Sequence, residues 1–138
     1  MATIRRFEEL EAWQTARALT KLVYGLASVG AFSRDYGLRD QIQRAAVSVM
    51  SNIAEGFESR TQALFIDYLG RARGSAGELR AQLYVALDCN YLTQDQFVDA
   101  LRQAETCSKQ IARLIQYLET QPNTRRVREN DIIYDIKP

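Results

Sequence analysis

The sequence predicts an all-α fold, an antiparallel up-down-up-down four-helix bundle, and three observations lead there. Apolar residues recur every three or four positions over four long stretches. Short breaks carrying glycine or capping residues separate those stretches, and short connections force neighbouring helices to be antiparallel. No strand-like alternation occurs before Gln121, which excludes α/β nucleotide folds and their phosphate loops.

In the first stretch, Phe7, Leu10, Trp13, Ala16, Leu19, Val23, Leu26 and Ala27 share one face, predicting a helix from about Arg6 to about Val29. Glu8, Glu9 and Glu11 in its first turns suit the helix dipole. Gly30 and the run Ser33-Arg-Asp-Tyr-Gly37 break the pattern, with Gly37 as the expected turn residue before a second helix that begins near Leu38 and ends at Gly56 or Phe57. Ser59-x-x-Gln62 fits a capping box and opens a third helix, which Asn90 closes. Thr93-x-x-Gln96 is a second capping box, and behind it Phe97, Leu101, Ala104, Ser108, Ile111, Ile115 and Leu118 keep a heptad spacing. Each long helix spans on the order of 35 Å at the standard rise. Gly70, Gly74 and Gly77 inside the third helix spell no phosphate-binding motif; their expected use is close helix approach, at a propensity cost of about 1 kcal/mol each.

The second helix is apolar nearly all the way round. Ile42, Ala45, Ala46, Val49 and Ile53 form the face for the bundle, while Val47, Met50, Ala54 and Phe57 form a second face that a lone bundle does not need and that suggests self-association. Between them runs a polar row, Gln41, Arg44, Ser48, Asn52 and Glu55, spaced by three or four. Counting outward from a hairpin turn near Arg60 sets this row against Arg71, Ser75 and Glu78 of the third helix. Arg44 then falls near Glu78, Ser48 near Ser75, and Asn52 and Glu55 near Arg71. The expected role is a structural ladder with an Arg44–Glu78 contact, since half-buried charges need partners.

Composition bounds the chemistry. The 138 residues suit one domain, with a bundle over 1–120 and a tail over 121–138. Absence of histidine removes the usual general base and the commonest metal ligand, so neither an enzyme, a cofactor nor a metal is expected. Cys89 and Cys107 form no Cys-x-x-Cys pair and read as buried reduced thiols, out of reach of each other. No apolar run approaches a membrane span and the N-terminus lacks a signal core, so the expected location is the cytoplasm. A net charge of +1 gives no global pull toward nucleic acid, and any binding surface must be local. Candidates are Arg73 and Arg80 with the tail cluster Arg125, Arg126 and Arg128, gathered by assembly onto one rim. The tail also alternates Ile132, Tyr134 and Ile136, as a mobile terminus or a docking segment.

Phe7-Glu-Glu-Leu10 with Trp13-Gln14, Tyr36-Gly-Leu-Arg-Asp-Gln41, Arg44-Ala-Ala-Val-Ser48, Ser51-Asn-Ile-Ala-Glu-Gly56 and Gly74-Ser-Ala-Gly-Glu-Leu79 resemble the bacterial four-helix bundle family encoded in intervening sequences of large-subunit ribosomal RNA genes. The likeness covers about Phe7 to Leu118. It implies a left-handed bundle, assembly into a homopentameric ring and no established enzymatic activity. Family members are suspected of binding RNA. A related branch serves diversity-generating retroelements as the accessory variability protein, a basic pentamer that binds reverse transcriptase and nucleic acid, and this chain departs from that branch in being nearly neutral. The function expected is a non-enzymatic oligomeric scaffold binding RNA or a ribonucleoprotein; the alternative is an accessory subunit of such a reverse transcriptase, binding the enzyme and its template RNA or DNA.

Overall fold

A computed structural model describes residues 3–121 and shows four helices, with no strand among the described residues. After a 3-10 turn at Phe7–Glu9 come α1 (Glu11–Ala27), a second 3-10 turn (Gly30–Arg34), α2 (Tyr36–Glu58), α3 (Gln62–Asp88) and α4 (Gln94–Glu119). α1 packs on α2 and α4, and α3 packs on the same two helices, so α1 and α3 sit on the diagonal of a square. Cross-helix contacts run in opposite chain directions. Ser48 meets Ser75 and Phe57 meets Phe65 across α2 and α3, while Tyr84 meets Phe97 and Arg80 meets Glu105 across α3 and α4. The four-helix up-down architecture expected from periodicity is the one observed.

The helix ends follow from local side-chain chemistry, and several differ from the sequence expectation. Asp35, rather than Gly37, sets the start of α2: its Oδ1 accepts the Leu38 N–H at 3.1 Å, and Gly37 lies inside the helix. The other oxygen of the same carboxylate accepts the Tyr91 hydroxyl at 2.9 Å, and Tyr91 stacks on Phe32, so one aspartate ties the α1–α2 connection to the α3–α4 turn. That bond to a carboxylate holds the Tyr91 phenol above its usual range. Ser59 does not open α3. It closes α2, its Oγ donating to the Gly56 carbonyl, because α2 extends to Glu58; Thr61 is the N-cap of α3 and accepts from Leu64 N–H at 3.1 Å. Gln62 reaches instead to the carbonyl of Leu118 on α4.

Asn90 ends α3 as expected. It adopts a left-handed φ of 61°, and Tyr91 N–H bonds back to the Ala86 carbonyl at 2.9 Å in a Schellman-type closure. The Thr93/Gln96 capping box forms with both halves present, at 3.1 and 2.9 Å. On α4 the fully buried row is Phe97, Ala100, Ala104, Cys107, Ile111 and Leu118, while Leu101, Ser108 and Ile115 are half-buried.

The core divides into two clusters along the bundle axis. One is built from Leu19, Val23, Ile42, Leu79, Leu83 and Phe97 with alanines between them; the other from Ala16, Val49, Ile53, Phe57, Phe65, Leu69 and Ile111. Polar groups cross the bundle where the clusters meet, at Ser48, Ser75 and Thr20.

The interior glycines correct an expectation. A Cβ on Gly70, Gly74 or Gly77 meets nothing within 4 Å, so none of them serves close approach within the chain. Close approach occurs at Gly56, where a Cβ would stand 2.9 Å from both Phe65 Cδ1 and Tyr68 Cβ. Gly74→Ala is therefore expected to stabilise the fold by about 0.5 to 1 kcal/mol, through helix propensity and reduced freedom of the unfolded chain. A urea titration reads this as a higher midpoint at unchanged slope.

The two cysteines also part ways. Both are free thiols, but Cys89 is exposed and Cys107 is buried, its thiol lying 3.7 Å from the Ala12 carbonyl. Burial raises the Cys107 pKa to about 12, because the thiolate has no solvent to stabilise it. Under native conditions at pH 8, a thiol reagent should label one cysteine quickly and the second only after denaturation. The thiol that reacts late should be Cys107.

Candidate functional site

The polar ladder is the first candidate, and it forms only at its centre. Ser48 Oγ and Ser75 Oγ lie 2.9 Å apart, joining α2 to α3 at the level that counting from the hairpin predicts. Asn52 Nδ2 donates to the Ser48 carbonyl at 2.8 Å and to Ser48 Oγ at 3.0 Å, so it stays on its own helix. A turn away on α3, buried Gln82 donates to Glu78 Oε2 at 3.2 Å. Thr20, which the sequence pattern does not single out, donates to the Ala16 carbonyl at 2.8 Å and to Ala46 across the α1–α2 seam at 3.1 Å.

The charged rungs do not form. Gln41, Arg44, Glu55, Arg71 and Glu78 are all exposed, and Arg44 makes no ion pair with Glu78 among the described residues. Arg71 turns to Asp67, one turn earlier on α3, at 3.0 Å, and lays its guanidinium over Tyr68 at 5.0 Å from the ring centre. The reason is solvation: an exposed long-chain pair gains about 0–1 kcal/mol, too little to hold two flexible side chains across a seam when a neighbour on the same helix is nearer.

A shallow open groove lined by Tyr24, Asp40, Gln43, Arg44, Val47 and Ser48 reaches the edge of this row. Ser48 Oγ has the Ser75 hydroxyl and the Asn52 amide as partners, Ser75 Oγ has the Ser48 hydroxyl, and no carboxylate or amine bonds either oxygen among the described residues. A hydroxyl so placed holds register, since an activated nucleophile needs a base on its proton. No cluster of three or more metal-ligating side chains occurs among the described residues, and no helix there is long and apolar enough to cross a membrane.

The outward residues are the second candidate. Of the face assigned to self-association, Val47 is 38% exposed and shares a groove with Tyr24 of α1, while Met50 and Ala54 are half-buried. Phe57 does not belong to it. At 4% exposure it packs inward, edge-to-face on Phe65, because it follows Gly56 at the point where α3 comes closest. Arg73 is exposed, and Arg80 stands half-buried with its Nη2 3.9 Å from Glu105 and its Nε buried without a partner. Arg125, Arg126 and Arg128, with the apolar alternation of the tail, lie outside the described residues.

Fold and site thus define a small antiparallel helical bundle with a pinned interior and its open chemistry on the outside. The chain belongs to the 23S rRNA-intervening sequence protein family, whose model matches residues 8–113. It is also similar in structure to a protein of unknown function from the S23 ribosomal protein family of Bacteroides thetaiotaomicron. The TM-score is 0.70 at 20% identity, over 76% of this chain and 95% of that one, a likeness of fold. A comparison with curated proteins gives no match.

Proposed function

We propose that this protein is a non-enzymatic helical scaffold that assembles with copies of itself and binds RNA or a ribonucleoprotein through cations gathered from several subunits. The observation that carries the reading is the outward apolar edge where exposed Tyr24 and Val47 line one groove, continued along α2 by half-buried Met50 and Ala54. Apolar surface of that kind on a small bundle marks an association site. A ring multiplies whatever weak phosphate contacts each subunit makes, which suits a chain whose net charge is only +1. Membership of a family described by its link to 23S rRNA supports RNA as the polyanion.

Sedimentation velocity combined with gel shift on ribosomal and unrelated RNA tests both halves. The expected result is a pentamer that retards RNA, and dispersal to monomers by Val47→Glu. A wild-type monomer contradicts the assembly, and a pentamer that leaves RNA unshifted contradicts the binding.

A further inference from the structure

The outer surface shared by α3 and α4 carries cations on both helices. Two contacts fix how the helices align there: Arg80 to Glu105 at 3.9 Å, and the edge-to-face pair of Tyr84 and Phe97 with centroids 4.9 Å apart. Arg73 lies two turns before Arg80 on the same row of α3, and Tyr84 one turn beyond it, 52% exposed. On α4, Arg102 and Lys109 flank Glu105 by one turn each, and Arg113 follows Lys109 by another. None of Arg73, Arg102, Lys109 and Arg113 makes an ion pair among the described residues. Four cations, Arg73, Arg80, Arg102 and Lys109, therefore stand around Glu105, with Asp88 one turn from Tyr84 and Asp99 one turn from Arg102 at the rim, while Arg113 lines a pocket with Glu11 on the α1 side. Gly77 sits between Arg73 and Arg80, and space above it is open, so this part of the α3 surface is bare of side chains.

Resting on the RNA-binding reading, we infer that this α3–α4 face is a track for the sugar–phosphate backbone of single-stranded RNA, with Tyr84 as the stacking platform for a base at one end. Two rows of cations on neighbouring helices, Arg73 to Arg80 and Arg102 to Lys109, each about 10 Å long at 1.5 Å per residue, bracket a strip as wide as one helix spacing. Such a strip accommodates one backbone. Arginines without carboxylate partners bind phosphate without first losing an internal bond, and an exposed aromatic ring accepts any base by its π-face. A duplex keeps its bases stacked inside and has none to offer Tyr84. Lys109, one of three lysines among the 18 cationic residues, matters as much as the arginines.

The test is fluorescence anisotropy of a short mixed-sequence single-stranded RNA against the full-length protein over a range of salt. For Arg73→Gln/Arg102→Gln/Lys109→Gln, the slope of log K against log salt is expected to become shallower by about 2, at roughly 0.7 per phosphate contact for single strands. A charge-matched control on the α1–α2 side, Lys21→Gln/Arg34→Gln/Arg44→Gln, is expected to keep the wild-type slope. Tyr84→Leu keeps apolar contact with Phe97 yet should weaken single-strand binding about tenfold, and Tyr84→Phe should restore it. Equal losses in both triple variants overturn the assignment of this face while leaving RNA binding itself intact. A wild-type protein that binds no RNA overturns both. Duplex RNA bound as tightly as the single strand, or DNA bound more tightly than RNA of the same sequence, overturns the assignment to single-stranded RNA.

Discussion

Gly56→Ala is expected to destabilise the bundle by about 2 to 3 kcal/mol, at the upper end of what overpacking a well-filled interior costs. The added methyl would lie 2.9 Å from Phe65 Cδ1, 2.9 Å from Tyr68 Cβ and 3.3 Å from the Phe65 carbonyl oxygen. Two of those atoms are held by the α3 backbone, and the Phe65 ring is buried and wedged against Phe57, so no flexible side-chain end is available to move. Relief requires α2 and α3 to separate at the hairpin, which would expose part of the lower core. Phe65→Leu should remove one of the three contacts and recover part of the loss. Urea unfolding of the two single variants and the double variant measures this; additive losses would mean that the ring is not what resists the methyl.

Leu79→Ala is expected to cost about 4 kcal/mol, toward the top of the range for truncating a buried leucine. Leu79 is fully buried in the cluster that also holds Ala45 and Ala46 of α2 and Ala100 and Ala104 of α4. A cluster in which α2 and α4 contribute several alanines depends on its few large side chains to fill the centre. Its short side chains cannot lean in, so the cavity should persist. Ala104→Leu introduced alongside Leu79→Ala should restore part of the stability by filling the space from α4. Thermal unfolding followed by circular dichroism reads both; a loss below about 2 kcal/mol for the single variant would show that the cluster collapses.

Much of this architecture is legible in the residues because its causes are local. The Thr93/Gln96 box is two reciprocal hydrogen bonds within one turn, and both are present. The Ser48–Ser75 contact follows from counting along two helices from a short turn, because the rise per residue is nearly constant. What the sequence conceals depends on competition between near-equal options. Ser59 and Thr61 are both hydroxyl caps two residues apart, and which one opens α3 is decided by how far α2 runs before it stops. Arg71 has Glu55 across the seam and Asp67 on its own helix as equally good partners on paper, and the nearer one on the same helix is the pair that forms. Small residues carry no marker of direction. Gly56 and Gly74 read alike in the chain, yet one lies under a phenylalanine ring and the other under open space. Phe57 follows the same logic, since its inward turn is set by the crossing at Gly56 rather than by its spacing from Val47 and Met50.

The interior polar contacts of this bundle hold register, and the proposed RNA site lies on its outer surface. Photocrosslinking of single-stranded RNA to the full-length protein, with the adducted peptide identified by mass spectrometry, puts that directly to the test. Adducts on the peptide carrying Tyr84 are the predicted result. Adducts on Tyr24, which borders the groove at Arg44 and Ser48, would contradict it and return the binding site to the polar ladder.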